Sequence, residues 1–140
     1  MIEFKVLGEP VGKGRPKFST VNGYAAAYTP HKTAVYENLV RLSFRQQCGS
    51  VKPYDKSFSL SAHIVAFFPI PKNTSKKRTQ SMLEGLERPA KKPDNDNIAK
   101  AVLDALNGIA YHDDAQIVSL SVDKFYSDEP KTVVRIGIVS

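Results

Sequence analysis

A chain of 140 residues is the size of one ordinary domain, and a hydrophobic content of 41% is enough for one core. The single cysteine, Cys48, excludes an internal disulfide and a cysteine-built zinc site; no run of about 18 apolar residues offers a membrane span; and Met1-Ile2-Glu3-Phe4-Lys5 lacks the sections of a signal peptide. The formal charge of +6 is split, because residues 1–93 carry sixteen Lys and Arg against six Asp and Glu while residues 94–140 carry four against eight, so a polyanion suits the first part and a divalent cation the second.

We therefore expect residues 1–140 to form one unit, soluble and cytoplasmic, with no membrane partner. In chain order, Ile2 to Leu7 alternates around Phe4 as a strand does, and Gly8-Glu9-Pro10 ends it. Gly12-Lys13-Gly14-Arg15-Pro16-Lys17 follows as a basic loop. It is not a phosphate-binding P-loop, since the glycine spacing is too short and no Ser or Thr follows Lys13; its candidate role is an arm on a nucleic-acid backbone, against that of a solvated loop. Thr33 to Gln47 places Val35, Leu39 and Leu42 at helical spacing, and Cys48-Gly49 stops the helix.

From Phe58 the period changes to two. Phe58, Leu60, Ala62, Ile64, Ala66 and Phe68 share one face until Pro69 and Pro71, and Val65 with Phe67 makes the end apolar on both faces, which predicts a central strand. His63 falls on the opposite face, where a lone histidine is more often packed than a ligand. Residues 72–92 hold Lys72, Lys76, Lys77, Arg78, Arg88, Lys91 and Lys92 against Glu84 and Glu87, and they predict a DNA-facing excursion with a short helix from Ser75 to Leu83. Gln116 to Tyr126 and Thr132 to Ile138 read as strands joined in a hairpin by Ser127-Asp128-Glu129-Pro130. The sum is an α+β domain with a mixed β-sheet flanked by helices.

The chemistry-bearing residues lie between. Pro93-Asp94-Asn95-Asp96-Asn97 opens a helix that runs to about Asn107, with Gly108 as its stop. Ile98, Val102, Ala105, Leu106 and Ile109 form its core stripe; Asp96, Lys100, Asp104 and Asn107 form the other face at spacings of four, four and three. Asp94 and Asp96 suit a hard cation such as magnesium, although taken alone an Asp-x-Asp pair before a helix is more often an N-cap. Tyr111-His112-Asp113-Asp114 is either an Asp-rich turn or a return that brings Asp114 back beside the helix start, where three carboxylates would converge on metal.

In order, Pro93-Asp94-Asn95-Asp96-Asn97, Lys100, Asp104-Ala105-Leu106-Asn107-Gly108 and Asp113-Asp114-Ala115-Gln116 resemble the signature of the RusA family of Holliday-junction resolvases. The resemblance is dense over about 30 residues, with Asn95 standing where the family often has an aliphatic residue. It implies an intertwined or closely packed homodimer, found in prophages and bacteria and serving DNA recombination and repair, that is magnesium-dependent, with manganese as a substitute, and resolves four-way junctions by paired nicks. It also implies that Asp94, Asp96 and Asp114 are the metal-binding catalytic carboxylates, that Lys100 is an active-site base or phosphate contact, and that Asp104 and Asp113 support them. Lys13, Arg15, Lys17, Lys76, Lys77, Arg78, Lys91 and Lys92 are the expected DNA contacts. Two other readings use the same residues differently: a branched- or single-stranded-DNA-binding module that does not cut, and a protein whose acidic helix docks a basic partner.

Overall fold

Alternation decides the first strand as expected: in β1, Ile2–Leu7, the residues Ile2, Phe4 and Val6 are buried and Glu3, Lys5 and Leu7 are not. The computed structural model describes residues 1–139 apart from residue 22. The remaining elements are β2, Lys17–Val21; β3, Tyr24–Tyr28; α1, His31–Cys48; β4, Leu60–Pro69; α2, Lys76–Leu83; α3, Asn95–Ala105; β5, Ile117–Ser127; and β6, Lys131–Ile138, with one 3₁₀ turn at Asp114–Gln116 before β5.

The main sheet has the order β1-β6-β4-β5. β6 runs antiparallel to both β1 and β4, and β4 runs parallel to β5. A parallel pair requires a long crossover, and the segment holding α2 and α3 supplies it. β4 is central, as predicted, with β6 and β5 bonded to its two edges; Leu60, Ala62, Ile64, Ala66 and Phe68 are buried on one face, while Val65 and Phe67 on the other are half-buried. That placement overturns the expected hairpin: β5 and β6 follow one another through Ser127 to Pro130, but β4 lies between them and pairs with both.

α1 and α3 pack on one face of the sheet and on each other. The buried face of α1 is not the one expected. Val35, Leu39 and Leu42 are 53%, 39% and 53% exposed, while Tyr36, Val40 and Phe44 enter the core beside Thr33, Glu37 and Ser43. The polar members are satisfied where they lie: the Thr33 hydroxyl oxygen accepts from Gly14 N–H at 3.0 Å, Glu37 meets Lys13, and the Ser43 hydroxyl donates to the Leu39 carbonyl. Once paired, such groups no longer oppose burial, and the Phe44 ring meets Phe4 edge-on at 5.6 Å.

α3 follows the sequence closely. Ile98, Val102, Ala105 and Leu106 are buried, Ile109 packs against them, and Gly108 takes the left-handed φ of 74° that ends the run. The β2–β3 hairpin was not foreseen. It forms a separate two-stranded sheet whose described side chains are exposed. Among the described residues no helix is long and apolar enough to cross a membrane.

Candidate active site

Three contacts fix the start of α3. Asn95 donates from its side chain to the Val122 carbonyl at 3.1 Å, so the residue that departs from the family pattern ties the helix to β5. Lys124 donates to the carbonyls of Lys91 and Pro93, the latter at 2.9 Å, and desolvation lowers its pKa while the charge of Asp94 opposes that fall. On the other side Lys13 N–H donates to the Asn97 carbonyl at 2.8 Å, and Gly12 lies so close that a Cβ there would sit 2.5 Å from Pro93 Cβ. The basic loop is thus packed on the helix start, and only glycine fits at its contact point.

Asp94 occupies the N-cap position with extended backbone, yet its side chain makes no capping hydrogen bond. Capping therefore does not account for this carboxylate. Asp96 lies exposed in the first turn, where the helix dipole favours a negative charge. Lys100 is exposed one turn later, and among the described residues it makes no ion pair.

At the other end of α3 the chain builds a second acidic group. Tyr111 is fully buried and donates its hydroxyl to the Leu103 carbonyl at 2.6 Å, which folds the return back against the helix; burial raises its pKa far above the ordinary range, with Asp114, Asp104 and Asp113 adding to the rise. Asp114 N–H donates to the Asn107 side chain at 2.8 Å. The Gln116 carbonyl oxygen accepts from His112 and Asp113 N–H while its amide donates to the Asp55 and Phe58 carbonyls. Asp114 consequently meets Asp104 and Asp113, and its pKa is raised, first by desolvation and then by those two neighbours.

Asp104 is held from behind. The Lys13 ammonium lies 3.1 Å from Glu37 Oε2 and 3.4 Å from Asp104 Oδ2, with Glu37 8% and Lys13 16% exposed. Lys13, expected on DNA, is instead an internal strut. Asp104 thus takes its cation from the loop and not from Lys100 on its own helix face.

The structure sorts the carboxylates of this region into two groups. Asp94 and Asp96 stand at the start of α3, and Asp114 joins Asp104 and Asp113 at its end rather than returning to the start. The eight residues from Asp96 to Asp104 rise about 12 Å along the axis, too far for one ion to be shared. Among the described residues no three His, Cys, Asp or Glu side chains converge on one metal position. The donor chemistry fits magnesium at the level of pairs, because that ion keeps several waters and takes one or two carboxylates with substrate phosphate, and the raised pKa of Asp114 marks concentrated negative charge that a cation would relieve.

Desolvation of Asp114, with Asp104 and Asp113 adding to it, yields a prediction. With the folded pKa of Asp114 above its unfolded value, the ionised carboxylate lowers stability at neutral pH, and the cost disappears as pH falls through the carboxyl range. Asp114→Asn is expected to raise the melting temperature of metal-free protein at pH 7, with the gain shrinking as the pH is lowered toward 4. An equal or lower melting temperature at pH 7 in EDTA contradicts the raised pKa of Asp114.

Basic residues surround the first acidic group. A groove of about 620 Å³ is lined by Lys13, Arg15, Lys32 and Lys92 together with Asp94, and a second hollow of about 590 Å³ by Lys91, Lys92, Asp94 and Lys124. Arg15, Lys17, Lys76, Lys77, Lys91 and Lys92 are exposed. Arg78 is also exposed, but its guanidinium grips both oxygens of Glu87, at 3.2 and 2.7 Å. Lys124, absent from the sequence-derived set, borders Asp94; a lysine inside an amphipathic strand gives no signal of that place.

His63 is where alternation put it, on the sheet face away from α1 and α3, and its Nε2 lies 3.1 Å from Asp123 Oδ2. Arg88 bonds the other Asp123 oxygen at 3.3 Å and covers the Phe125 ring at 4.1 Å. This cluster joins the basic excursion to β5.

The family model described as endodeoxyribonuclease RusA matches residues 8–137. The uncharacterized protein YqaN of Bacillus subtilis (strain 168) is 41% identical over 142 aligned positions, which cover 99% of this chain and 97% of that protein. A match that takes in the basic loop, both acidic groups and every strand after the first places the chain in the RusA endodeoxyribonuclease family.

Proposed function

We propose that this protein is a magnesium-dependent endonuclease that resolves four-way DNA junctions by paired phosphodiester hydrolysis, acting as a homodimer and accepting manganese in place of magnesium. The observation that carries the reading is the row of carboxylates along α3 and its return turn beside a cation-lined groove, in a chain that belongs to a family of endodeoxyribonucleases. A rival that only binds DNA has no use for Asp94 left out of its cap, or for Asp114 held against two other acids.

Bound divalent ions would activate the attacking water and neutralise charge on the phosphate and leaving oxygen. The chain's own work is placement. Asp94 and Asp96 offer oxygens at the helix start, Asp114 offers them at its end, and Tyr111, Asn107 and Gln116 hold the return in place. Lys100 lies on the helix face between the two groups, one turn from Asp96 and one from Asp104, where its ammonium would bind a phosphate oxygen or protonate the leaving oxygen. Asp104 and Asp113 flank Asp114.

Two nicks related by two-fold symmetry need two active sites, which a dimer supplies. Both edges of β4 and of β6 are paired within the sheet. Exposed apolar groups lie at Val35, Leu39 and Leu42 with Leu7, at Val118 and Leu120 on the edge strand β5, and at Phe58 and Ile138.

The exposed cations give the DNA affinity a salt signature. Log affinity for duplex arms is expected to fall linearly with log salt, and Arg15→Gln, Lys76→Gln and Lys77→Gln should each reduce the slope by about 0.9, measured by fluorescence anisotropy. Affinity that ignores salt contradicts phosphate contact. The reading as a whole is tested by incubating the protein with a labelled four-way junction, its linear arms and a single strand. Symmetric nicks in the junction alone support it, and equal cutting of all three favours a general nuclease.

A further inference from the structure

From Pro10 to Tyr36 the chain contains Lys13, Arg15, Lys17 and Lys32 and no Asp or Glu. Within this stretch β2 and β3 form a free-standing ribbon that exposes three aromatic rings, Phe18 at 74%, Tyr24 at 79% and Tyr28 at 49%. A two-stranded hairpin is only marginally stable alone in water, and large exposed aromatics add to the cost, so the ribbon has the character of a surface that waits for a partner.

Cross-strand register separates its two sides. Lys17 pairs with Tyr28 and Ser19 with Ala26, so Tyr24 and Tyr28 share a side with Lys17; Phe18 pairs with Ala27 and Thr20 with Ala25, so Phe18 lies on the other. Ala25, Ala26 and Ala27 keep the ribbon thin between the rings. At its root, Gly14, Arg15 and Pro30 line the same groove as Asp94. A strand whose phosphates follow that groove passes directly from the candidate active site to the hairpin.

We propose that the β2–β3 hairpin is the element that recognises the branch point, with Phe18 and Tyr24 stacking on bases that lose their neighbours where the arms of the junction diverge. The inference rests on the junction-nuclease reading and assigns its preference for branched over linear DNA to a surface separate from the carboxylates. Bases in a continuous duplex are stacked on both sides; those at a branch are not, and an aromatic ring takes any base by its π-face regardless of sequence. Charge decides the occupant in favour of DNA. A second hairpin would bring Arg15 and Lys17 against their own copies, whereas phosphates complement them.

The test is fluorescence anisotropy of wild type and of the double variant Phe18→Ala, Tyr24→Ala on a four-way junction and on a linear duplex of the same sequences, without divalent ions. The rings touch nothing in the main core, so unchanged thermal melting is expected. Junction affinity is expected to fall at least about tenfold, the scale of base–aromatic stacking, while duplex affinity changes less than about twofold. Tyr24→Trp, which keeps a stacking face, is expected to retain the junction preference. An unchanged preference in the double variant overturns the proposal, as does an equal loss on junction and duplex, which would make the hairpin a general backbone contact. Sedimentation that shows the variant losing a dimer the wild type forms would make it a subunit clasp instead. A wild type that binds no junction defeats the functional reading itself, and a wild type that cuts junctions beside a variant with full preference defeats only the hairpin.

Discussion

Asp96→Asn is expected to stop junction cleavage, with a loss on the order of 10²-fold or more, the scale seen when one group that stabilises a transition state is removed. Folding should hardly notice. Asp96 is exposed in the first turn of α3, and among the described residues its side chain takes part in no hydrogen bond or ion pair. What the substitution removes from the fold is the favourable placing of a negative charge at a helix N-terminus, about 0.3–1 kcal/mol. Asparagine keeps the size, and junction binding in EDTA should match wild type or improve as charge repulsion with phosphate falls. A variant that unfolds, or one that cuts at the wild-type rate, removes Asp96 from the chemistry.

Lys13→Met should behave in the opposite way, with a large loss of stability. The ammonium stands between Glu37, almost fully buried, and Asp104, and deleting it leaves a carboxylate of α1 without compensation inside the protein. Breaking such a pair from one side costs about 3–5 kcal/mol when burial is complete, and the 16% exposure of Lys13 places the expectation near the lower end. The companion variant Lys13→Met with Glu37→Met replaces both charges by apolar groups of similar length and should recover most of the loss. Thermal or urea melts measure both. If Lys13→Met keeps its melting point and instead weakens DNA binding, lowering the salt slope by about 0.9, then the side chain is a phosphate contact as the sequence suggested.

That contrast shows where the sequence was legible. Periodicity placed β1, the central position of β4, and α3 with its stop at Gly108, because in each the apolar stripe that the period picks out is the buried one and the turn residues do their usual work. It misplaced α1, where Thr33, Glu37 and Ser43 lie inward and Val35, Leu39 and Leu42 outward. The partners that make this affordable are the Gly12–Lys17 loop and a backbone carbonyl, and a pattern of one helix cannot reveal them. The hairpin escaped notice for a related reason: its aromatics face solvent, so no core-facing alternation announces it. Ser127 to Pro130 has the composition of a hairpin turn, but β4 lies between β5 and β6 and pairs with both.

The candidate site was read in the same uneven way. All five acidic residues of the α3 region were named from spacing and resemblance. Their grouping was not, since whether Asp114 returns to the start of α3 or stays at its end depends on Tyr111, Asn107 and Gln116 bonding to Leu103, Asp114 and the chain near Asp55 and Phe58. Lys124 was missed because its neighbour in space is Asp94, thirty residues away in sequence.

Single-turnover cleavage of a labelled four-way junction, with protein in excess and magnesium titrated from zero, tests the central claim most directly. The account predicts no cutting in EDTA, a rate that rises and saturates with magnesium, and paired nicks placed symmetrically across the branch. Tight junction binding with no cutting at any magnesium or manganese concentration would contradict it and identify the protein as a DNA-binding module.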